Sequence, residues 1–220
     1  MKAILFDLDG TLLETNFDTL LEAYFQGVSA LFAEWVPQGE LIRHLTASTY
    51  AMIKSNDPTR TNIEVFAEHF FPSLNLDPSL MALFERYYIE EFPKLRHLAQ
   101  KHPLAKDIVE LAFAHNTKVV IATNPVFPLE PIVERLRWAE VDGYPYALIT
   151  HGEIMHFCKP NPNYYLEISR MIGVAPEDCL MIGDDPENDG PAAEVGMDTF
   201  LLQDGQTLAE AMQYISAKRG

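Results

Sequence analysis

Only two of the 220 residues are cysteine, Cys158 and Cys179. Their spacing suits neither a disulfide framework nor a thiolate metal site, so a reducing cytoplasm is the expected compartment. Long apolar runs are lacking as well. None approaches the roughly 18 residues needed to cross a bilayer, and the first residues read as a strand rather than a cleavable leader. Positive charge is scarce: 16 Lys and Arg stand against 32 Asp and Glu, a formal charge of −16. That excludes the basic surface from which nucleic-acid binding draws most of its affinity. The same imbalance repels anionic ligands, so a phosphate site in this chain requires a bound cation and a well-placed Lys or Arg. The seven histidines show no paired metal-ligand spacing and read as surface or satisfied core residues, with His44, on an expected helix, placed where it could line a site.

What is present is enough apolar residue, 48%, for one large domain or a domain carrying a smaller insertion. The chain opens with Ala3-Ile4-Leu5-Phe6, an unalternating apolar run of the kind that forms a strand buried on both faces of a parallel sheet. Asp7 and Asp9 follow. Residues two apart in an extended chain point the same way at about 6.6 Å, so both carboxylates can address one volume at the strand's carboxyl end. Gly10 permits an immediate turn, and Thr11 adds a hydroxyl.

Residues 16–92 carry only helical periodicity. The spacing predicts helices over Phe17–Trp35, capped by Asn16 or Asp18, over Glu40–Lys54, over Asn62–Phe71, and from Asp77-Pro78-Ser79 to about Phe92. The aromatic residues of this block, among them Tyr24, Phe25, Phe66, Phe70, Phe71, Phe84, Tyr87 and Tyr88, are expected to form its own core. Lys54 and Arg60 are expected to be solvated. From about residue 93 strand and helix alternate: a helix over Asp107–His115, strands over Lys118–Thr123, Tyr146–Ile149, Cys179–Gly183 and Thr199–Leu202, helices from Pro131 to Trp138 and up to Ile172, and a last helix capped by Thr207. The fold class expected is α/β, a doubly wound parallel sheet formed by residues 1–15 and 93–220, with an all-α cap at 16–92 inserted after the first strand.

Asp7-Leu8-Asp9-Gly10-Thr11-Leu12 resembles the first motif of the haloacid dehalogenase superfamily. Thr123 at a strand end, Lys159 in Lys159-Pro160-Asn161-Pro162, and Gly183-Asp184-Asp185 with Asp189 resemble its second, third and fourth motifs, in that order. The position of the helical insertion is similar to the superfamily's C1 cap over a Rossmann-like core. Asp9 speaks against its dehalogenases and phosphonatases.

The resemblance implies a Mg²⁺-dependent phosphatase acting on a small phosphorylated metabolite. Asp7 would be the nucleophile, forming an aspartyl phosphate, and Asp9 the general acid/base. The metal would be held by the Asp7 carboxylate, the Asp9 backbone carbonyl and Asp184. Thr123 and the Asn124 amide would bind the phosphoryl group, and Lys159 would offset charge and lower the pKa of Asp7. Asp189 would orient Lys159 or a metal-bound water. Asp185 either shares that task or, the preferred reading, faces solvent. A phosphomutase with the same motifs, and a phosphate-binding regulatory protein without turnover, are the alternatives. Oligomeric state is left open.

Overall fold

The computed structural model describes residues 1–114 and 116–218, with Phe17 and Asp18 described by their backbone alone. In chain order the first elements are β1 (Ala3–Phe6) and β2 (Leu13–Thr15). Helices α1 (Phe17–Leu31), α2 (Gln38–Lys54), α3 (Asn62–Ser73) and α4 (Met81–Glu90) follow. Next come β3 (Ala99–Lys101), α5 (Ala105–Ala114), β4 (Lys118–Ile121), α6 (Leu129–Trp138) and β5 (Leu148–Ile149). The chain ends with α7 (Pro162–Ile172), β6 (Cys179–Gly183), β7 (Asp198–Leu201) and α8 (Leu208–Ala217).

Among the described residues, five strands form a sheet in the order β5-β4-β1-β6-β7, every neighbouring pair parallel. β1 is central, and its four residues are fully buried. Successive side chains of a strand point to opposite faces, which explains the two packed layers. Ile4 and Phe6 join a cluster with Ile108, Ile132, Leu136 and Ile215, from α5, α6 and α8. Ala3 and Leu5 join the other, with Tyr164, Tyr165 and Ile168 of α7. This is the doubly wound, Rossmann-like α/β architecture read from the alternation of elements.

The four long helices of the block between β2 and β3 are followed by a 3₁₀ stretch, Phe92–Leu98, so helical backbone continues past residue 92. The chain leaves the sheet through β2 and returns through β3, and these two strands pair antiparallel, Leu13 with Lys101 and Thr15 with Ala99. Asn16 is the cap of α1, its side chain accepting from Thr19 N. α1 ends at Leu31, leaving Trp35 beyond it and exposed. The third strand of the sheet is shorter than expected, two residues rather than four. The helix expected over Asp107–His115 is α5, with His115 itself outside the described residues.

α3 begins with a capping box: Thr61 accepts from Glu64 N, and Glu64 reaches back to Thr61 N, satisfying two of the amides that a helix start leaves free. Its first residue is tied to the sheet domain. Asn62 is wholly buried; its amide donates to Met155 O at 2.8 Å and its Nδ2 to Pro125 O at 3.2 Å.

Candidate active site

Three central strands end side by side, and each delivers one candidate. Asp7 follows β1, Thr123 lies two residues beyond β4, and Asp184 follows β6. The backbone ladder runs on past the strands: Asp7 N donates to Ile182 O at 2.9 Å and Ala122 N to Phe6 O at 2.7 Å. Two glycines let the loops meet. A Cβ at Gly10, which has φ +87°, would lie 2.2 Å from Asp184 Oδ2, and one at Gly183 would lie 2.0 Å from Asp189 Oδ2.

Lys159 arrives from the loop before α7 and is buried. Its ammonium donates to Asp7 Oδ1 at 2.7 Å and to Asp189 Oδ1 at 2.6 Å, while its backbone amide donates to Asn124 Oδ1 at 3.2 Å. The Asn124 side chain thus anchors the lysine loop, a task the sequence did not suggest. Thr123 is buried; its carbonyl accepts from Thr150 Oγ1 at 2.7 Å and from the Tyr164 hydroxyl at 2.9 Å. Asp184 accepts from Thr11 Oγ1 at 3.1 Å.

Asp185 is less open to solvent than the preferred reading had it. It is half-buried, and its carboxylate accepts from Glu187 N at 2.8 Å and Asn188 Nδ2 at 2.5 Å. It folds the loop that carries Asp189, and its own amide donates to Asp189 Oδ2 at 3.1 Å.

Carboxylate oxygens of Asp7, Asp184 and Asp189 lie within 4.8 Å of one another, and one ammonium serves this group. Burial raises the pKa of Asp7 to about 7, Lys159 opposing this and Asp189 and Asp9 adding to it. Lys159 therefore does pull the Asp7 pKa down, as expected, but desolvation outweighs it. Burial also raises Asp184. For Lys159, burial acts to lower the pKa, yet Asp7 and Asp189 carry it well above the usual value, so it stays protonated. One cation among three carboxylates leaves surplus negative charge, and an all-oxygen donor set of this kind suits a hard divalent cation.

The Asp9 carboxylate is not part of that group. It pairs with Arg135 of α6, a residue the sequence reading did not single out. Arg135 is almost wholly buried, its guanidinium 5.3 Å from the centre of the Phe127 ring. Asp9 Oδ1 and Arg135 Nη2 are buried without a partner. Arg135 shares a helical face with the buried Ile132, Leu136 and Trp138, and this spacing was the available signal: a basic residue placed three after one apolar position and beside the next.

Asp9, Thr123, Asn124 and Arg135 line the floor of a cavity of about 660 Å³ whose walls come largely from the helical block. The aromatics do form core, as expected: Tyr24, Phe70, Phe71, Phe84, Tyr87 and Tyr88 are buried in the main apolar cluster, with Phe25 and Phe66 packed against it. Five of them, Tyr24, Phe25, Phe66, Phe84 and Tyr88, also line the cavity. Helical periodicity marks an inward face without telling a packed core from a cavity wall. His44 is not among the cavity residues; its Nδ1 lies 2.8 Å from Ser73 Oγ. Arg60 is exposed and paired with Asp57 and Glu68, and Lys54 rests over the Tyr50 ring.

A profile of the haloacid dehalogenase-like hydrolases matches residues 1–196. The chain is 24% identical over 216 residues to a phosphorylated carbohydrates phosphatase of Thermotoga maritima, with 96% of this chain and 91% of that protein covered. It is likewise 24% identical over 222 residues to the phosphoglycolate phosphatase of Escherichia coli, covering 96% and 85%. The crystal structure of a HAD phosphatase from Thermococcus onnurineus superposes with a TM-score of 0.62 at 22% identity, over all of both chains.

Proposed function

Because the chain belongs to the haloacid dehalogenase-like hydrolases, we propose that it is a phosphomonoesterase that transfers the phosphoryl group of a small metabolite to Asp7 and then to water. The observation that carries this reading is the meeting of Asp7, Lys159, Asp184 and Asp189 at the carboxyl ends of adjacent strands. The phosphatase relatives point the same way.

Asp7, Asp184 and the Asp9 backbone carbonyl are the groups we assign to Mg²⁺, and the crowded, half-neutralised carboxylates fit it. When bound, the ion would neutralise charge on the phosphoryl oxygens and on the acids. The chain's own residues then divide the work. Asp7 attacks phosphorus as the bond to the leaving oxygen breaks, while Lys159 offsets charge on the transferred group. Thr123 and the Asn124 amide hold that group in place. Asp9 hands a proton to the leaving alkoxide and in the second step takes one from the water that attacks phosphorus and releases Asp7. Asp189 keeps Lys159 in position. Residues 16–92 act as a cap over the site formed by 1–15 and 93–220, excluding bulk water and selecting the leaving group. A phosphomutase is the weaker alternative, since the cavity's apolar walls offer few partners for a sugar's hydroxyls.

Hydrolysis of para-nitrophenyl phosphate tests the proposal. Release should require Mg²⁺, stop on chelation, and fall at least about a thousandfold in Asp7→Asn, as expected when a nucleophile is removed. Turnover that survives either change would sink it.

A further inference from the structure

The walls of the cavity say what kind of alcohol is released. Seven aromatic side chains, the exposed Tyr50 together with Tyr24, Phe25, Phe66, Phe84, Tyr88 and Phe127, line a space of about 660 Å³, within the roughly 300–1,000 Å³ of small-molecule sites. Tyr24 and Tyr88 bond to each other at 3.0 Å, which leaves one O–H of the pair for a ligand; the rest of what they present is ring surface. The Thr46 hydroxyl, also on the wall, is engaged with Ile42 O at 2.9 Å. A sugar or a hydroxy acid placed here would exchange water for ring faces, and each polar group left unpaired would cost about 1–3 kcal/mol. An aromatic body would bury its apolar area and pack edge-to-face against rings already so arranged, Tyr24 against Phe127 at 89° and Phe66 against Phe84 at 86°.

Charge narrows the class further. Among the described residues, the one cation lining this space, Arg135, is paired with Asp9; Lys159 is held between Asp7 and Asp189, and the exposed Lys54 sits over the ring of Tyr50. The other charged residues lining the cavity are Glu85, Glu130 and Glu153, all exposed. A leaving group with a second anion would meet three carboxylates on a molecule already strongly acidic.

We propose that the substrate is a phosphomonoester whose leaving group is a neutral aromatic body carried on an alcohol, seated between the cap aromatics and Phe127 with its ester oxygen over Asp9. The proposal rests on the phosphatase reading above and deepens it.

The test compares primary alkyl esters of similar leaving ability, 2-phenylethyl phosphate, glucose 6-phosphate and 2-phosphoglycolate, with acetyl phosphate as a control too small to need the cavity, all with Mg²⁺. The wild-type kcat/KM for 2-phenylethyl phosphate should exceed those for the sugar and the acid by about tenfold or more, the scale on which apolar pockets discriminate. Thr49→Trp, which fills the space from a half-exposed position on α2, should narrow the phenylethyl to acetyl phosphate ratio by about tenfold. If acetyl phosphate is hydrolysed but glucose 6-phosphate or 2-phosphoglycolate matches or beats the aryl ester, the aromatic assignment fails and the phosphatase reading stands. If acetyl phosphate is not hydrolysed either, both fail.

Discussion

Gly183 closes β6 at a place where a single methyl group has no room, its built Cβ lying 2.0 Å from Asp189 Oδ2. Gly183→Ala must push Asp189 away from Lys159, a strain of about 1–3 kcal/mol for overpacking a tight site. It should lower the melting temperature and reduce kcat together, measured by thermal melts and phosphate release. Arg135→Leu removes a guanidinium that is 2% exposed from an aspartate that is 18% exposed. Breaking a buried pair costs about 3–5 kcal/mol, and the partial exposure of Asp9 puts this one at the lower end. Chemical denaturation of the single and Arg135→Leu/Asp9→Asn variants should show the double variant less destabilised than the sum of the two. Residues of this kind divide by how far the sequence exposes them. Asp7 and Asp9 are visible because they stand two apart directly after the apolar run of β1. The partner of Asp9 is 126 positions away; its place on an apolar helical face marks Arg135 as buried but does not say with what it pairs. The net shift of Asp7 was also hidden, since a neighbouring lysine can be read from a motif but the depth of burial cannot.

At the scale of elements, the link from α2 to α3 is organised by Asp57, whose carboxylate accepts from the Thr59 amide at 2.8 Å and its hydroxyl at 2.6 Å, and from Arg60 Nε at 2.8 Å. These bonds lower its pKa from 3.8 to about 2, the Thr59 hydroxyl contributing most. A carboxyl whose folded pKa is depressed contributes stability above its unfolded pKa and loses that contribution as pH falls through the folded one. Asp57→Asn should therefore melt below the wild type at pH 7, and the gap should close between about pH 4 and pH 2; a gap independent of pH would show that charge is not the cause. The helices here were legible from periodicity and caps, including the Thr207 cap of α8. β2 and β3 were not, because three residues each carry no alternation to detect. Strand order likewise has no local signature, although the alternation of strand and helix was enough to give the sheet's parallel sense.

Over the whole molecule, one apolar cluster runs from the β1 side chains Ile4 and Phe6 through α5, α6 and α8 into Leu20, Phe32, Leu41 and Phe84 of the helical block. Phe92 stacks on Trp138 of α6 at 5.3 Å, and Asn62 anchors α3 to the loops beyond β4 and β5. Such continuity couples the block to the sheet domain, so calorimetry should record a single unfolding transition, coincident with far-ultraviolet circular dichroism. Two resolved transitions would show that the block melts on its own. The acidic surplus legible in composition reappears at this scale as three clustered carboxylates, two of them sharing one ammonium, whereas the cavity's aromatic walls depend on how four helices lean together, which periodicity leaves undetermined.

The pairing of β2 with β3 has one more consequence. Thr15 and Ala99 are cross-strand partners, so the chain goes out and comes back through the same doorway. The closure entropy of whatever is threaded there grows only with the logarithm of its length, about 0.6 kcal/mol per doubling. A cassette of quite different size could be spliced between those two residues and inherit the acids unchanged, making that ribbon the natural seam for grafting a new substrate preference onto the same chemistry.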